Sequence, residues 1–535
     1  MKSYPVRTYE DVREALLAKR EVALLDVREE DPHAQCHPLF AANLSLSRIE
    51  LDAWTRLPRR DVPIVLFDAG EGYAERAADT LTSLGYTNVA LLAGGLDGWI
   101  QAGGEVFRDV NVPSKAFGEF VEAQRHTPSL SAEAVDALLK NGDDVVVLDA
   151  RRFDEYQTMN IPGSISVPGA ELVLRARALA PKPTTRVIVN CAGRTRSIIG
   201  TQSLVNAGLP NPVAALRNGT IGWTLAGQQL EHGSERRFDP QAGLDAADID
   251  ASQRAALALA QRAGVSRTTL DEAAGWAADA SRTTYRFDVR TPAEYERAHA
   301  PGFQGAPGGQ LVQETDMFAP VRGARVVLFD DDGVRANMTA SWLAQMNIDT
   351  YVVDAASPED LTANGPWQAA KAQPASTQSL APQELAALLA DSASGTVVLD
   401  VTSSANHVKA HIPGAHWIVR SRLSNAFDDL RALPDAKRYV VTCGTNALAP
   451  YIAPEVAALT GKPVQVLDGG TSAWIRAGLP VESGDAHLAS PRIDRYRRPY
   501  EGTDNAREAM NAYLEWEYGL VAQLERDGTH GFFVI

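Results

Sequence analysis

A four-fold internal repeat constrains this 535-residue chain more than any other feature. A short apolar run ending in aspartate recurs as ALLDVRE (Asp26), VVLDARR (Asp149), YRFDVRT (Asp288) and VVLDVTS (Asp400). Each is followed by a second apolar run that opens into a short polar loop: IVLFDAGEGYA, VIVNCAGRTRS, VVLFDDDGVRA and YVVTCGTNALA. The Asp-to-loop separations are 42, 42, 42 and 43 residues (26 to 68, 149 to 191, 288 to 330, 400 to 443), a register that unrelated segments would not keep. Beyond each loop come a helical stretch and a third apolar run, and Trp99, Trp223 and Trp474 close three copies 31, 32 and 31 residues past the loop start. The third copy lacks that ending, since Trp367 lies 37 past Asp330.

Strands alternating with helices imply βα units and a parallel sheet covered on both faces. The sequence therefore predicts an α/β protein of four tandem domains, each a parallel sheet with helices on both faces, at 1–110, 125–232, 265–372 and 376–484. DAADIDASQRAALALAQRAG, between the second and third copies, reads as a helical connector. The stretch 485–535 departs from the repeat, and the periodicity of NAREAMNAYLEWEYGLVAQLERDG predicts a helical extension packed back on the array.

A net charge of −16 argues against general nucleic-acid binding, and the cluster from Arg492 to Arg498 is too short to reverse that. No apolar run has the length of a membrane span, and the N-terminal segment has no apolar signal core, so no membrane partner and a cytoplasmic location are expected. Three cysteines, Cys36, Cys191 and Cys443, are too few for a disulfide framework and fit a reducing compartment.

Cys191 stands where the strand RVIVN turns through Cys191-Ala192-Gly193-Arg194-Thr195-Arg196-Ser197 into the helix IIGTQSLVNAG. In an open parallel sheet, ligands bind beyond the carboxyl ends of the strands. Successive backbone N–H groups entering a helix cradle an anion. That field, with Arg194 and Arg196, is expected to lower the thiol pKa and hold a thiolate, while the two guanidinium groups grip an oxyanion. Such a group suits attack on sulfur bearing an anionic leaving group. Gly193 and Thr195 complete the expected binding loop. The competing reading is a buried strand-end cysteine.

The Asp-x-Arg strand end, a His-Ile-Pro-Gly-Ala-type segment, the cysteine loop and a Gly-Gly-x-x-x-Trp ending together resemble the rhodanese (thiosulfate sulfurtransferase) family. The second copy carries Asp149-Ala150-Arg151, Glu155-Tyr156, Asn160-Ile161-Pro162-Gly163-Ser164, Cys191 and Asn218-Gly219 before Trp223. The fourth carries Asp400, His411-Ile412-Pro413-Gly414-Ala415, Cys443 and Gly469-Gly470 before Trp474. The resemblance implies that the cysteine accepts a sulfane sulfur as a persulfide and passes it to a nucleophile. It implies no cofactor or metal, a small anionic donor such as thiosulfate, a thiol or cyanide acceptor, and room for another protein's persulfide as partner.

Asp68 and Asp330 occupy the cysteine position in the first and third copies, where a carboxylate forms no persulfide. These copies are expected to be inert, with the aspartates capping helices. Cys443 lies in a loop without charged side chains (Gly444, Thr445, Asn446, Ala447, Leu448), so its turnover stays open and a different donor is expected there. Asp149, Arg151 and Asp400 are expected to brace the loops, since the same strand-end aspartate recurs beside Asp68 and Asp330. His411 is expected to bond to its own turn. His33, Cys36 and His37 have the spacing of a metal pair plus thiolate, but no fourth ligand is evident and Pro38 points to a loop. A cysteine phosphatase would place five residues between Cys and Arg, whereas Cys191 and Arg196 are separated by four. A non-catalytic persulfide carrier or scaffold is the other alternative.

Overall fold

The computed structural model describes residues 3–239, 244–354, 357–430 and 436–535. It contains four five-stranded sheets, every pairing parallel, and each has the same spatial order, first-fifth-fourth-second-third strand of its unit. In the second unit the order runs Ser129–Leu130, Val213–Leu216, Arg186–Asn190, Val145–Asp149, Ile165–Ser166. The central strands are short, and Ala23–Asp26 and Ile64–Phe67 are buried at every residue, because helices cover both faces of the sheet.

The constant repeat spacing now has a cause. The second and fourth strands of each unit are neighbours, and the strand-end aspartate pairs with the residue just before the loop. The partners are Asp26 with Phe67, Asp149 with Asn190, Asp288 with Phe329 and Asp400 with Thr442. Slipping that register by one residue would turn the apolar faces outward. The chain leaves these two strands toward opposite sides, so a crevice opens at their carboxyl ends. The loop sits in it.

The closing glycine and tryptophan complete each unit. Gly219 has φ +54°, and a Cβ there would lie 2.2 Å from the Cys191 carbonyl oxygen, which accepts the Thr220 N–H at 2.9 Å. Gly470 repeats this against Cys443, with Thr471 donating at 2.9 Å. Only glycine allows so close an approach at positive φ. Trp223 and Trp474 are buried beneath these turns.

The units pack into one assembly. Arg335 of the third unit reaches Glu171 of the second at 2.9 Å, and Trp342 Nε1 donates to Ser203 Oγ at 2.8 Å. Arg420 of the fourth unit holds Glu50 of the first through bonds of 2.6 and 2.7 Å. The connector predicted between the second and third units is the helix Ala246–Arg262. A further helix, Val112–Arg125, joins the first two units and packs along Thr195–Asn206 behind the Cys191 loop. The extension forms the helices Arg507–Tyr518 and Leu520–Asp527 and folds back on the array, its Phe532 ring 5.3 Å from that of Phe117. Among the described residues no helix is long and apolar enough to cross a membrane.

Candidate active site

Cys191 ends the strand Arg186–Asn190 and precedes the helix Thr195–Asn206. Its Sγ donates to Ser197 Oγ at 3.4 Å, and the Ser197 hydroxyl donates to the Arg194 carbonyl at 2.8 Å. The other three loops reveal what this cradle accepts. Asp68 takes N–H bonds from Gly70 (3.0 Å), Tyr73 (2.5 Å) and Ala74 (3.0 Å). Asp330 takes them from Gly333 (3.1 Å) and Ala336 (2.8 Å), and Cys443 Sγ from Leu448 (3.4 Å). The donors lie mainly five and six residues past the loop start, at the first turn of the helix. In two units a carboxylate fills the space that sulfur fills in the other two. Burial and the neighbouring Asp332 push the Asp330 carboxyl well above its ordinary range.

The direction expected for the Cys191 thiol is reversed. Burial pushes it up, because the thiol is 2% exposed, and the nearby Glu517 pushes the same way. Arg196 and the hydrogen bonds with Ser197 oppose these effects without overcoming them. The cradle field acts, but desolvation of a buried anion is larger.

The two loop arginines are not equivalent, which corrects the expected double grip. A guanidinium carries five N–H donors. Arg194 uses all five: Nε and one terminal nitrogen hold Glu119 at 2.7 and 2.8 Å, Glu122 takes a further bond, and the remaining two go to Asn218 Oδ1 (3.1 Å) and the Tyr518 hydroxyl (3.2 Å). No donor is left for a sulfonate. Arg196 gives two donors to Glu155, each at 2.8 Å, and three remain among the described residues. Burial disfavours ionised Glu155, but the Arg196 guanidinium outweighs it and holds the carboxyl down at about 2. Arg196 also lines a cleft of about 460 Å³ with Arg151, Arg152, Arg498 and Tyr500.

Thr195 is turned to the linker helix, where a Cβ on Gly118 would meet its Cγ2 at 2.9 Å. Gly193 lies beneath the C-terminal helix, where a Cβ would stand 3.1 Å from Tyr513 Cε1 and 3.4 Å from Glu517 Oε2. Asp149 and Arg151, both fully buried, form a two-bond pair at 2.9 and 2.7 Å. The Asp149 carboxylate also accepts from Asn190 Nδ2 at 2.7 Å, which fixes the residue before Cys191. In the fourth unit Thr402 stands in the Arg151 position, and Asp400 instead meets His407 Nδ1 at 2.9 Å. His411 Nδ1 meets the His407 carbonyl of its own turn at 2.7 Å. Around Cys443, Thr445 is exposed, Asn446 has φ +68°, and Leu448 supplies the N–H already described.

The His33, Cys36 and His37 group uses its nitrogens otherwise. His33 Nδ1 meets Asp26 at 3.0 Å, and His37 meets the carbonyls of Pro38 and Asp109 at 2.8 and 3.0 Å. Among the described residues no cluster of three such side chains is arranged to hold a metal.

Glu155, Glu119, Ser197, Tyr513 and Glu517 carry weight that the sequence reading missed. Glu155 had a visible signal: Glu155–Arg196 and Glu294–Arg335 are both 41 residues apart. Ser197 stood in the cysteine loop without an assigned role, and Glu119, Tyr513 and Glu517 had no signal.

A rhodanese-like domain model matches residues 8–102, 131–226 and 381–477, over half of the chain. The third unit falls outside these matches although its sheet has the same strand order. A thiosulfate sulfurtransferase of Pseudomonas aeruginosa is 64% identical, with 99% of this chain and 100% of that one covered at a TM-score of 0.96. A rhodanese-like domain from Anabaena is 26% identical (22% and 87% covered, TM-score 0.19). A Rhodopseudomonas palustris protein described as a possible tyrosine phosphatase is 25% identical (20% and 85% covered, TM-score 0.19). A comparison with curated proteins finds no match.

Proposed function

The chain belongs to the rhodanese family, and from that premise we propose that it is a thiosulfate sulfurtransferase carrying sulfane sulfur on Cys191. The observation that carries this reading is the shared cradle. Backbone N–H groups at the start of the helix hold the aspartate carboxyl in the first and third units and Cys443 Sγ in the fourth, and in the second unit Cys191 Sγ occupies the same place, 3.4 Å from the Ser197 hydroxyl. A cradle that accepts an anion stabilises a thiolate or a persulfide in the same place.

In the first half-reaction the Cys191 thiolate attacks the outer sulfur of the donor. A bond forms from Sγ to that sulfur, the sulfur–sulfonate bond breaks, and its electron pair leaves with sulfite. Arg196 has three open donors to hold the sulfonate. In the second half-reaction a thiolate or cyanide attacks the outer sulfur of the persulfide, and the bonding pair returns to Sγ. Asp149 and Arg151 keep Asn190 and the loop in register. The first and third units hold the assembly together without turnover, because Asp68 and Asp330 occupy their cradles.

Cys443 takes a weaker share. Its Sγ has a backbone donor but no guanidinium group in its loop, which favours a donor with an organic body or another protein's persulfide. All three cysteines are free, which suits a reducing compartment, the cytoplasm.

The test is mass spectrometry after exposure to thiosulfate. An adduct of about 32 Da, one sulfur atom, is expected on the Cys191 peptide. Cys191→Ser should keep the fold and lose most thiocyanate formation, since a hydroxyl cannot hold a persulfide. Near wild-type release by that variant would end the assignment.

A further inference from the structure

The second and third units offer a matched comparison around the loop. Arg151 and Arg290 stand 139 residues apart, as do Glu155 and Glu294, Ala192 and Asp331, and Arg196 and Arg335. The two strand-end arginines are held alike through Nε and Nη2. Those of Arg151 go to Asp149 at 2.9 and 2.7 Å and to the Met159 carbonyl at 2.6 Å. Those of Arg290 go to Asp288 at 2.9 and 2.6 Å and to the Ala298 carbonyl at 2.7 Å. Arg290 Nη1 then donates to Asp331 Oδ2 at 2.9 Å, and Oδ1 of that carboxylate accepts from Arg335 Nη2 at 3.1 Å. One anion bridges two guanidinium groups. In the second unit Ala192 stands in its place, and Arg151 Nη1 has no partner among the described residues. Arg151 is only 1% exposed, and a buried donor left unpaired is costly.

We propose that Arg151 and Arg196 together form the oxyanion site of the second unit, gripping the donor's sulfonate where the Asp331 carboxylate sits in the third. The proposal rests on the reading of Cys191 as the sulfur carrier, and it adds Arg151 to the residues that touch the donor. Both arginines line the same cleft of about 460 Å³. A sulfonate has three oxygens, and two of them can meet the two guanidinium groups as the two oxygens of Asp331 do. Ala192 follows Cys191 directly, so the oxyanion lies beside the thiol. Arg196 is near enough for its charge to favour the Cys191 thiolate.

The surrounding charges leave the second site open and close the third. Arg335 spends all five donors on Glu171, Glu294, Asp331 and Asp332. Arg196 meets Glu155 alone. Gly193 stands in the Asp332 position, and Glu171 reaches across from the second unit to Arg335. Elsewhere along the cleft the carboxylates are turned to other cations. Asp154 accepts from Arg152 at 3.1 Å, Glu501 is bound to Arg495, and Glu314 acts on Arg498. The first unit keeps Arg28 but has Tyr73 in the Arg196 position, and the fourth has Thr402 and Leu448 in the two places. Neither can form the pair.

The measurement is the ratio of Cys191 alkylation rates by iodoacetate and by iodoacetamide, read on the Cys191 peptide, beside the KM for thiosulfate. Iodoacetate carries a carboxylate for the site to hold, and iodoacetamide is its neutral counterpart. Arg151→Lys keeps a cation for Asp149 but lacks the guanidinium fork. It should lower the ratio about tenfold and raise the thiosulfate KM by a similar factor, with iodoacetamide alkylation within about twofold of wild type. Ala192→Asp gives the second unit the bridging carboxylate of the third, and should lower the ratio and raise the KM likewise. Equal slowing by both reagents in a folded Arg151→Lys protein would reduce Arg151 to a brace and overturn the proposal, as would an unchanged ratio and KM. If that variant fails to fold, an unmoved ratio in Ala192→Asp overturns it. Absence of a sulfur adduct from wild-type Cys191 would overturn the sulfur-carrier reading, and the proposal with it. An adduct formed alongside an unmoved ratio confines the failure to the oxyanion site.

Discussion

Replacing Arg196 by alanine separates bracing from catalysis, because the chain contains its own control. Arg196 holds Glu155 in the second unit, and Arg335 holds Glu294 in the third, where Asp330 replaces the cysteine. Both carboxyls are held down at about 2 from an ordinary 4.5, burial being outweighed by the partner guanidinium. At ~1.4 kcal/mol per pH unit, each pair contributes on the order of 3 kcal/mol at neutral pH, in line with the cost of breaking a buried pair. Arg335→Ala should cost at least as much as Arg196→Ala, since Arg335 also reaches Glu171 at 2.9 Å. Both folded-state values lie below the unfolded ones, so the stabilisation is complete above pH 4.5 and lost as pH falls through about 2. Urea denaturation should show each variant weakened at pH 7, with the gap to wild type closing toward pH 2. The persulfide-forming step should then distinguish them. Arg196→Ala also loses the charged contact with the sulfonate, about 1.5–3 kcal/mol or roughly ten- to a hundredfold, and Arg335→Ala does not. Equal slowing in the two variants, assayed where both are folded, would refute a role for Arg196 in holding the donor.

In a Cys191→Ser background, residual transfer should be small with thiosulfate, relatively larger with an organic persulfide, and abolished by adding Cys443→Ser. Cys443 unmodified by every donor would make the fourth unit structural. Gly193→Ala places a methyl group 3.1 Å from Tyr513 Cε1 and should lift the C-terminal helix at a cost of about 1–3 kcal/mol. Limited proteolysis should then cut earlier in the segment 507–527, and an unchanged cleavage pattern would contradict the close packing. Arg194→Ala should lower stability through Glu119 and Glu122 yet leave the donor KM near wild type, because its donors do not face the substrate. A tenfold rise in that KM would restore Arg194 to the binding site.

The amino-acid sequence by itself determined the four units and the place of Cys191 at a strand end. Those features are local or strictly periodic: Asp149 pairs with Asn190 across neighbouring strands, so the spacing to Cys191 is a register and can be counted along the chain. The capping by Asp68 was legible for the same reason, since its N–H donors lie within six residues. Tertiary structure alone decided the electrostatics of the site. Arg194 follows Cys191 by three residues, but its partners Glu119 and Tyr518 are 75 and 324 residues away. Glu517 lies in a segment outside the repeat, with nothing around it in sequence to mark it as part of the site. Burial reversed the expected direction of the Cys191 thiol for a similar reason. The desolvation of a charge depends on everything packed over it, and here that covering is a helix from the far end of the chain.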